Sequence, residues 1–242
     1  MLITSVNNQY IKDIIKLKDK KYRDKLNKFI VEGEHLALEA YKKGLLEQLI
    51  LEENTSFSLD VKTTYVTSNV IKKISSLDNY SSIIGIAHKK FEDKLGDKLL
   101  ILDNIQDPGN LGTIIRSANA FDIDTIILSN TSVDLYNPKV IRATQGMLFH
   151  INIIVRDLEK LIPELKEDGY EIVGTKVNGG NDIKKTKLNN RFALIMGNEG
   201  QGIENKILNM CDEYLFIKTN ESVESLNVAV ATSILLYEIY NK

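Results

Sequence analysis

The stretch Leu99-Leu100-Ile101-Leu102-Asp103-Asn104-Ile105-Gln106-Asp107-Pro108-Gly109-Asn110-Leu111-Gly112-Thr113-Ile114-Ile115-Arg116 decides how this chain is read. Four consecutive apolar residues lack the alternation of a half-solvated strand and match a parallel sheet covered on both faces. Pro108-Gly109 forces a turn. After Asn110 the apolar residues Leu111, Ile114, Ile115, Ala118 and Phe121 share one face of a helix, and Arg116 lies off that stripe. A strand, a turn and a helix form the unit of an open α/β sheet, which binds ligands at the carboxyl ends of its strands. The same residues equally fit a plain Pro-Gly turn, a capped helix and a solvated arginine.

The rhythm repeats downstream. Strands are predicted at Leu99–Leu102, Thr125–Leu128, Ile151–Val155, Glu171–Gly174, Phe192–Met196 and Tyr214–Ile217. Helices are predicted after Asn110, after Asn137, at Leu158–Lys166, after Gly202 and at Leu226–Tyr240. Pro163 kinks or delays the third of these. The last is apolar almost all round and therefore buried. Upstream, Asn7 or Asn8 caps a helix carrying Ile11, Ile14, Ile15 and Leu17. Strands follow at Phe29–Val31, Leu49–Leu51, Thr64–Val66 and Ser82–His88. Helices are expected at Glu34–Lys43, closed by Gly44, and after Ser68. The polar run Glu92–Asp97 reads as a linker, giving domains 1–92 and 97–242.

Composition bounds the function. Of 242 residues, 43% are hydrophobic and 26% charged, which excludes a disordered chain. No apolar run approaches the roughly 18–20 residues of a membrane helix. The start lacks a signal-peptide layout, so a cytoplasmic protein is expected. A single cysteine, Cys211, excludes an internal disulfide and any multi-cysteine zinc site, and with three scattered histidines no metal is expected. The net charge of −2 hides an asymmetry: residues 1–95 carry sixteen basic and thirteen acidic side chains, residues 96–242 fifteen and twenty. Residues 12–28 alone hold eight basic against three acidic, a local field that can steer an anion.

Two further clusters carry chemistry. Gly197-Asn198-Glu199-Gly200-Gln201-Gly202 follows an apolar strand, where a glycine loop lets backbone amides reach a ligand; an ordinary turn fits too. No Gly-x-Gly-x-x-Gly occurs, which disfavours a nicotinamide-dependent oxidoreductase. Ser222-Val223-Glu224-Ser225-Leu226-Asn227 opens the apolar last helix, where Ser225 and Asn227 also suit plain caps.

In this order, the clusters resemble the three motifs of the SpoU (TrmH-like) branch of the SPOUT RNA methyltransferases. Asp103…Asp107-Pro-Gly-Asn-Leu-Gly…Arg116-Ser-Ala resembles the first motif, Leu194 to Gly202 the second, and Ser225-Leu-Asn-Val-Ala-Val-Ala…Tyr237-Glu238 the third. Asn137 to Gly146 is similar to the family's segment before its middle strand. Ile11-Lys12…Lys21-Tyr22-Arg23…Phe29 to Gly33 resembles the branch's substrate-binding domain. Three positions depart from the pattern. Lys218 stands where proline is common, Asp122 where glycine is common, and Gln145-Gly146-Met147 where Met-Gly-Ala is usual.

The resemblance implies an α/β parallel-sheet SPOUT fold with a carboxy-terminal trefoil knot. A smaller α/β domain resembling the L30e/L7Ae ribosomal-protein type would precede it. It implies S-adenosylmethionine as donor, a homodimer, and methylation of a ribose 2′-hydroxyl in structured RNA. The two-domain layout points to ribosomal (23S) RNA; a tRNA methyltransferase and a non-catalytic RNA-binding or ribosome-assembly protein are the alternatives. By the same resemblance Arg116, Asn110, Glu199, Ser225 and Asn227 are the catalytic positions. Gly197, Ile217, Leu226 and Thr175 contact the donor, and Lys20, Lys21 and Arg23 meet RNA phosphates. Removing residues 1–92 is expected to leave a folded, dimeric, donor-binding unit.

Overall fold

The computed structural model describes residues 2–77, 79–90, 92–220 and 222–242. It divides into two compact units, Met1–Phe91 with Asp134–His150, and Glu92–Val133 with Ile151–Lys242.

The first unit begins with β1 (Leu2–Ile3), α1 (Gln9–Ile15), a 3-10 turn at Lys16–Lys18 and α2 (Lys20–Leu26). It continues with β2 (Lys28–Glu32), α3 (Glu34–Lys42), β3 (Leu46–Glu52), β4 (Lys62–Val66), α4 (Ser68–Ile74) and β5 (Ile83–His88). Asn8 caps α1 by accepting the Tyr10 N–H. The sheet order is β1-β4-β3-β5-β2; β4 lies parallel to β1 and β3, while β5 is antiparallel to β3 and β2. Ile11, Ile14 and Leu17 pack with Val70, Ile71 and Ile74 over Ile30, Ile50, Ile84 and Ile86. The expected elements are present, with two additions. β1 spans only two residues, too short for a period to be read. α2 lies in the charged run and has no apolar stripe; Asp19 caps its first turn and Asn27, at φ +52°, ends it in the left-handed region.

The second unit opens with β6 (Lys98–Leu102), α5 (Pro108–Ala120) and β7 (Thr125–Ser129). The chain then supplies α6 (Pro138–Ala143) and a 3-10 turn at Met147–Phe149 to the first unit. It returns as β8 (Asn152–Arg156), α7 (Leu158–Glu167), β9 (Glu171–Thr175), β10 (Asn181–Asp182), β11 (Phe192–Met196), α8 (Asn205–Leu208), β12 (Glu213–Phe216) and α9 (Val228–Tyr240). The sheet order is β10-β12-β9-β11-β6-β7-β8, with every pair parallel, as the unalternating apolar runs require. Leu99, Ile101, Ile127, Ala193 and Ile195 pack against Leu158, Leu161, Ile162 and Leu165 of α7 and Ile207 of α8. Pro163 sits inside α7 without delaying its start. α5 begins at Pro108 rather than after Asn110, because proline suits the first helical turn and Asp107 accepts the Asn110 N–H as cap.

Two differences from the sequence reading concern the boundary. Residues 92–97 form no helix or strand, yet they are pinned within the second unit. Asp93 pairs with Arg156, the Lys94 carbonyl accepts from Asn152 at 3.0 Å and the Gly96 carbonyl from the Tyr170 hydroxyl at 2.5 Å. And the stretch 97–242 is not one compact body, since Asp134–His150 folds with the first unit. There Phe29 packs on Tyr136 and Phe149, with ring centroids 4.7 and 6.2 Å apart. Val140 and Ile141 of α6 are buried, His35 Nε2 meets the Gln145 carbonyl at 3.0 Å, and His150 meets Glu39 at 2.6 Å.

Candidate active site

A cavity of about 540 Å³ opens in the second unit at the carboxyl ends of β9, β11 and β12. Thr175, Gly197, Glu199, Ile217, Ser225 and Leu226 all stand in its wall, so residues drawn from three separate stretches of sequence converge there. Met196, Ile203, Leu208, Leu215 and Leu235 supply apolar lining, and Lys176 adds an ammonium whose Nζ rests 3.4 Å from the centre of the Tyr214 ring. The Thr175 hydroxyl is committed to the sheet: it donates to the Ile195 carbonyl at 2.9 Å. Gly197 has a steric reason to be glycine. A Cβ there would lie 2.1 Å from the Gly202 carbonyl carbon and from the Ile203 nitrogen, inside the closed loop.

That loop carries Glu199 to the start of α5. Glu199 Oε1 accepts from Asn110 Nδ2 at 3.0 Å and from the Asp107 N–H at 3.3 Å. Asn227 Nδ2 donates to Asn110 Oδ1 at 3.0 Å. Asn227 also caps α9, its Oδ1 accepting from the Ala229 and Val230 N–H groups. Capping and site-building are thus one arrangement. The amide of Asn110 is oriented by an acceptor on one side and a donor on the other.

Arg116 is exposed on α5 and is absent from the cavity wall. Six residues beyond Asn110, it lies about 9 Å further along the helix axis. Lys20 and Lys21 are exposed on α2, Lys20 pairing with Asp24 at 2.8 Å. Arg23 corrects the sequence reading. It is only 4% exposed, donates to the Leu17 and Lys18 carbonyls at 3.0 and 2.6 Å, and pairs with Asp134. It holds the first unit together and has no face for an RNA phosphate.

Two residues of the site have roles the sequence reading passed over. Asp103, at the end of β6, is buried and accepts the Glu204 N–H at 2.8 Å. Burial pushes its carboxyl above the usual range, against that hydrogen bond. Asn198 ties the glycine loop to itself and to Asn104; an asparagine inside a glycine loop is the one sequence signal of such a turn. Burial pushes the Cys211 thiol up to about 11, so it is not a nucleophile near neutral pH. Among the described residues no group of three or more His, Cys, Asp or Glu could hold a metal, and no helix is long and apolar enough to cross a membrane.

Residues 97–237 match the model of the SpoU rRNA Methylase family, and residues 8–85 that of the MRM3-like substrate binding domain. The chain is 37% identical to the 23S rRNA (guanosine(2553)-2′-O)-methyltransferase RlmP of Bacillus subtilis, over 98% of both chains. It superposes on the AdoMet-bound rRNA methyltransferase of Sinorhizobium meliloti with TM-score 0.88 and 29% identity, covering 100% of this chain and 97% of that one. The TrmH/SpoU tRNA modifying enzyme of A. aeolicus matches at TM-score 0.53 and 25% identity, over 61% of this chain and 76% of that one.

Proposed function

The chain belongs to the SpoU rRNA methylase family, and from that premise we propose that it transfers a methyl group from S-adenosylmethionine to the ribose 2′-hydroxyl of a guanosine in 23S ribosomal RNA. The observation that carries this reading is the 37% identity to the 23S rRNA enzyme over 98% of both chains, which spans both units.

The cavity fits the donor. Its volume of about 540 Å³ lies within the range of small-molecule sites. Its wall includes the Lys176 ammonium, which suits the carboxylate of the donor, among apolar side chains that suit its adenine. Gly197, Ile217, Leu226 and the backbone of Thr175 would hold the donor. S-adenosylmethionine, when bound, supplies an electrophilic methyl group. A ribose hydroxyl is a weak nucleophile until its proton leaves, so the protein must orient it and stabilise developing negative charge. Arg116, a planar and permanently charged fork, grips phosphate and ribose and lowers the cost of the alkoxide. Glu199, Asn110, Asn227 and Ser225 order the hydroxyl and the loops around it. Lys20 and Lys21 meet RNA phosphates, which position without specifying.

The same reading includes a cytoplasmic homodimer. Its support is the outer face of α9, where Val230, Tyr237 and Tyr240 are 48%, 55% and 56% exposed and Phe121 packs edge-on to Tyr237 at 5.9 Å. A trefoil knot is supported by β12, which enters the sheet between the earlier strands β9 and β10. An L30e/L7Ae type for the first unit is supported by its mixed sheet and flanking helices. The test is ribose-methylation mapping of 23S rRNA and tRNA from strains with and without the gene. One guanosine mark should vanish from 23S rRNA; loss of a tRNA mark instead would overturn the substrate.

A further inference from the structure

Asn198 uses every hydrogen-bonding group it has. Its N–H and C=O exchange bonds with Gly202, both at 2.9 Å, closing the glycine loop. Its Oδ1 accepts from the Gly200 and Gln201 N–H groups at 2.9 and 3.1 Å. Its Nδ2 donates out of the loop to the Asn104 carbonyl at 2.8 Å and, at a longer 3.4 Å, to Glu199 Oε2 within it. Asn104 is held in turn. Its N–H donates to the Ser129 hydroxyl at 2.9 Å, its Oδ1 accepts from Gln106 at 2.6 Å, and its φ of +56° is a left-handed value that asparagine tolerates. At the other end of the loop, the neighbouring Asp103 carboxylate takes the Glu204 N–H at 2.8 Å. Two consecutive residues after β6 therefore grip the loop on both sides of Glu199.

We propose that Asn198 is a positioning residue, whose Nδ2 bond to the Asn104 carbonyl places the Glu199 carboxylate on Asn110 and so sets the geometry of methyl transfer rather than donor affinity. This rests on the reading of Glu199 and Asn110 as part of the reacting site. The physical argument is the division of labour within one side chain. Oδ1 shapes the turn that faces the cavity; Nδ2 fixes that turn against the strand end from which α5 and Asn110 start. A site group displaced by about 1 Å loses much of its effect, since the benefit of orientation is steep in distance.

Asn198→Asp keeps the Oδ1 acceptor and removes the Nδ2 donor, but it also sets a second carboxylate beside Glu199, so the uncharged Asn198→Ser, which keeps an acceptor oxygen, is measured alongside it and should behave alike. Asn198→Ala removes both. For Asn198→Asp we expect S-adenosylmethionine affinity, measured by calorimetry, to stay within about threefold, while single-turnover transfer to a 23S rRNA fragment falls at least about tenfold. In an Asn110→Ala background the Asp substitution should add almost no further loss, because the contact it displaces is already gone. A purely structural role would multiply the two defects. An RNA-free readout accompanies these: the Asn110 side-chain amide resonances of Asn198→Asp should move as they do in Glu199→Ala. Unmoved Asn110 resonances overturn the proposal whether or not the RNA is methylated. Equal loss of donor affinity and rate overturns it too. If the resonances move but the wild-type protein leaves the RNA unmethylated, the substrate reading fails and the clamp stands.

Discussion

Arg23 and Asp134, 111 residues apart in the chain, share a 2.5 Å ion pair inside the amino-terminal unit, their side chains only 5% and 18% exposed. Breaking such a pair from one side leaves a charge without a partner, which costs about 3–5 kcal/mol. Arg23→Ala should therefore lower the urea midpoint sharply. Arg23→Met combined with Asp134→Leu should recover much of the loss, because no lone charge remains. If Arg23→Ala unfolds at the wild-type midpoint yet loses RNA affinity, the guanidinium serves phosphate after all.

Arg116→Lys tests geometry against charge. Lysine keeps the charge and loses the planar fork that engages a phosphate and a hydroxyl together. Single-turnover methyl transfer should fall at least about tenfold, roughly 1.4 kcal/mol in the barrier. Donor affinity should persist, because Arg116 is outside the cavity wall. A wild-type rate for the lysine variant would remove Arg116 from the reaction.

Glu39 makes the first unit acid-sensitive. Bonds from Lys42 and then His150 hold its carboxyl down at about 2, against an ordinary 4.5. A depressed carboxyl stabilises the fold fully above its unfolded value, and that contribution drains away as pH falls through its folded value. The stability gap between wild type and Glu39→Gln should shrink as pH falls from about 4.5 to about 2. Denaturation midpoints at stepped pH measure it. A gap unchanged down to pH 2 would deny the linkage.

Removal of residues 1–92 should fail to give a well-behaved protein. Val140, Ile141, Leu148 and Phe149 are at most 7% exposed, buried within the unit that the deletion removes. Size-exclusion chromatography should show aggregation. Replacing residues 134–150 as well should rescue solubility, provided the substitute is long enough. β7 and β8 run parallel, so it must span about one strand length, ~17 Å, which roughly ten Gly-Ser residues cover. A soluble simple truncation would show that this segment folds without the first unit.

What was legible in the sequence was whatever a local pattern determines. Unalternating runs such as Leu99–Leu102 foretold a parallel sheet, and Asn137 and Asn8 marked helix starts that cap as expected. Of the cavity's residues, Gly197, Glu199, Ser225 and Leu226 lie in contiguous motifs, whereas Thr175 and Ile217 stand outside them. What escaped depends on partners far along the chain. Nothing near Arg23 announces Asp134, and nothing in Gly197–Gly202 announces the Asn104 carbonyl, 94 residues from Asn198. One family departure has a backbone context: Asp122, where glycine is common, sits at φ +58°, a value glycine adopts freely and aspartate tolerates.

The helix α6 and its flanks also impose an order of events during synthesis. The last strand of the first unit ends at His88, but the covering stretch ends at His150, some sixty residues later. At about 5–20 residues per second, the ribosome takes roughly 3–12 s to make that interval. Through it the nascent chain presents Phe29 without Tyr136 and Arg23 without Asp134. Since β6, α5 and β7 emerge first, the second unit begins to assemble before the first can close. Chaperone capture of a stalled nascent chain should therefore be strongest at lengths between these two points and fall once His150 has cleared the exit tunnel.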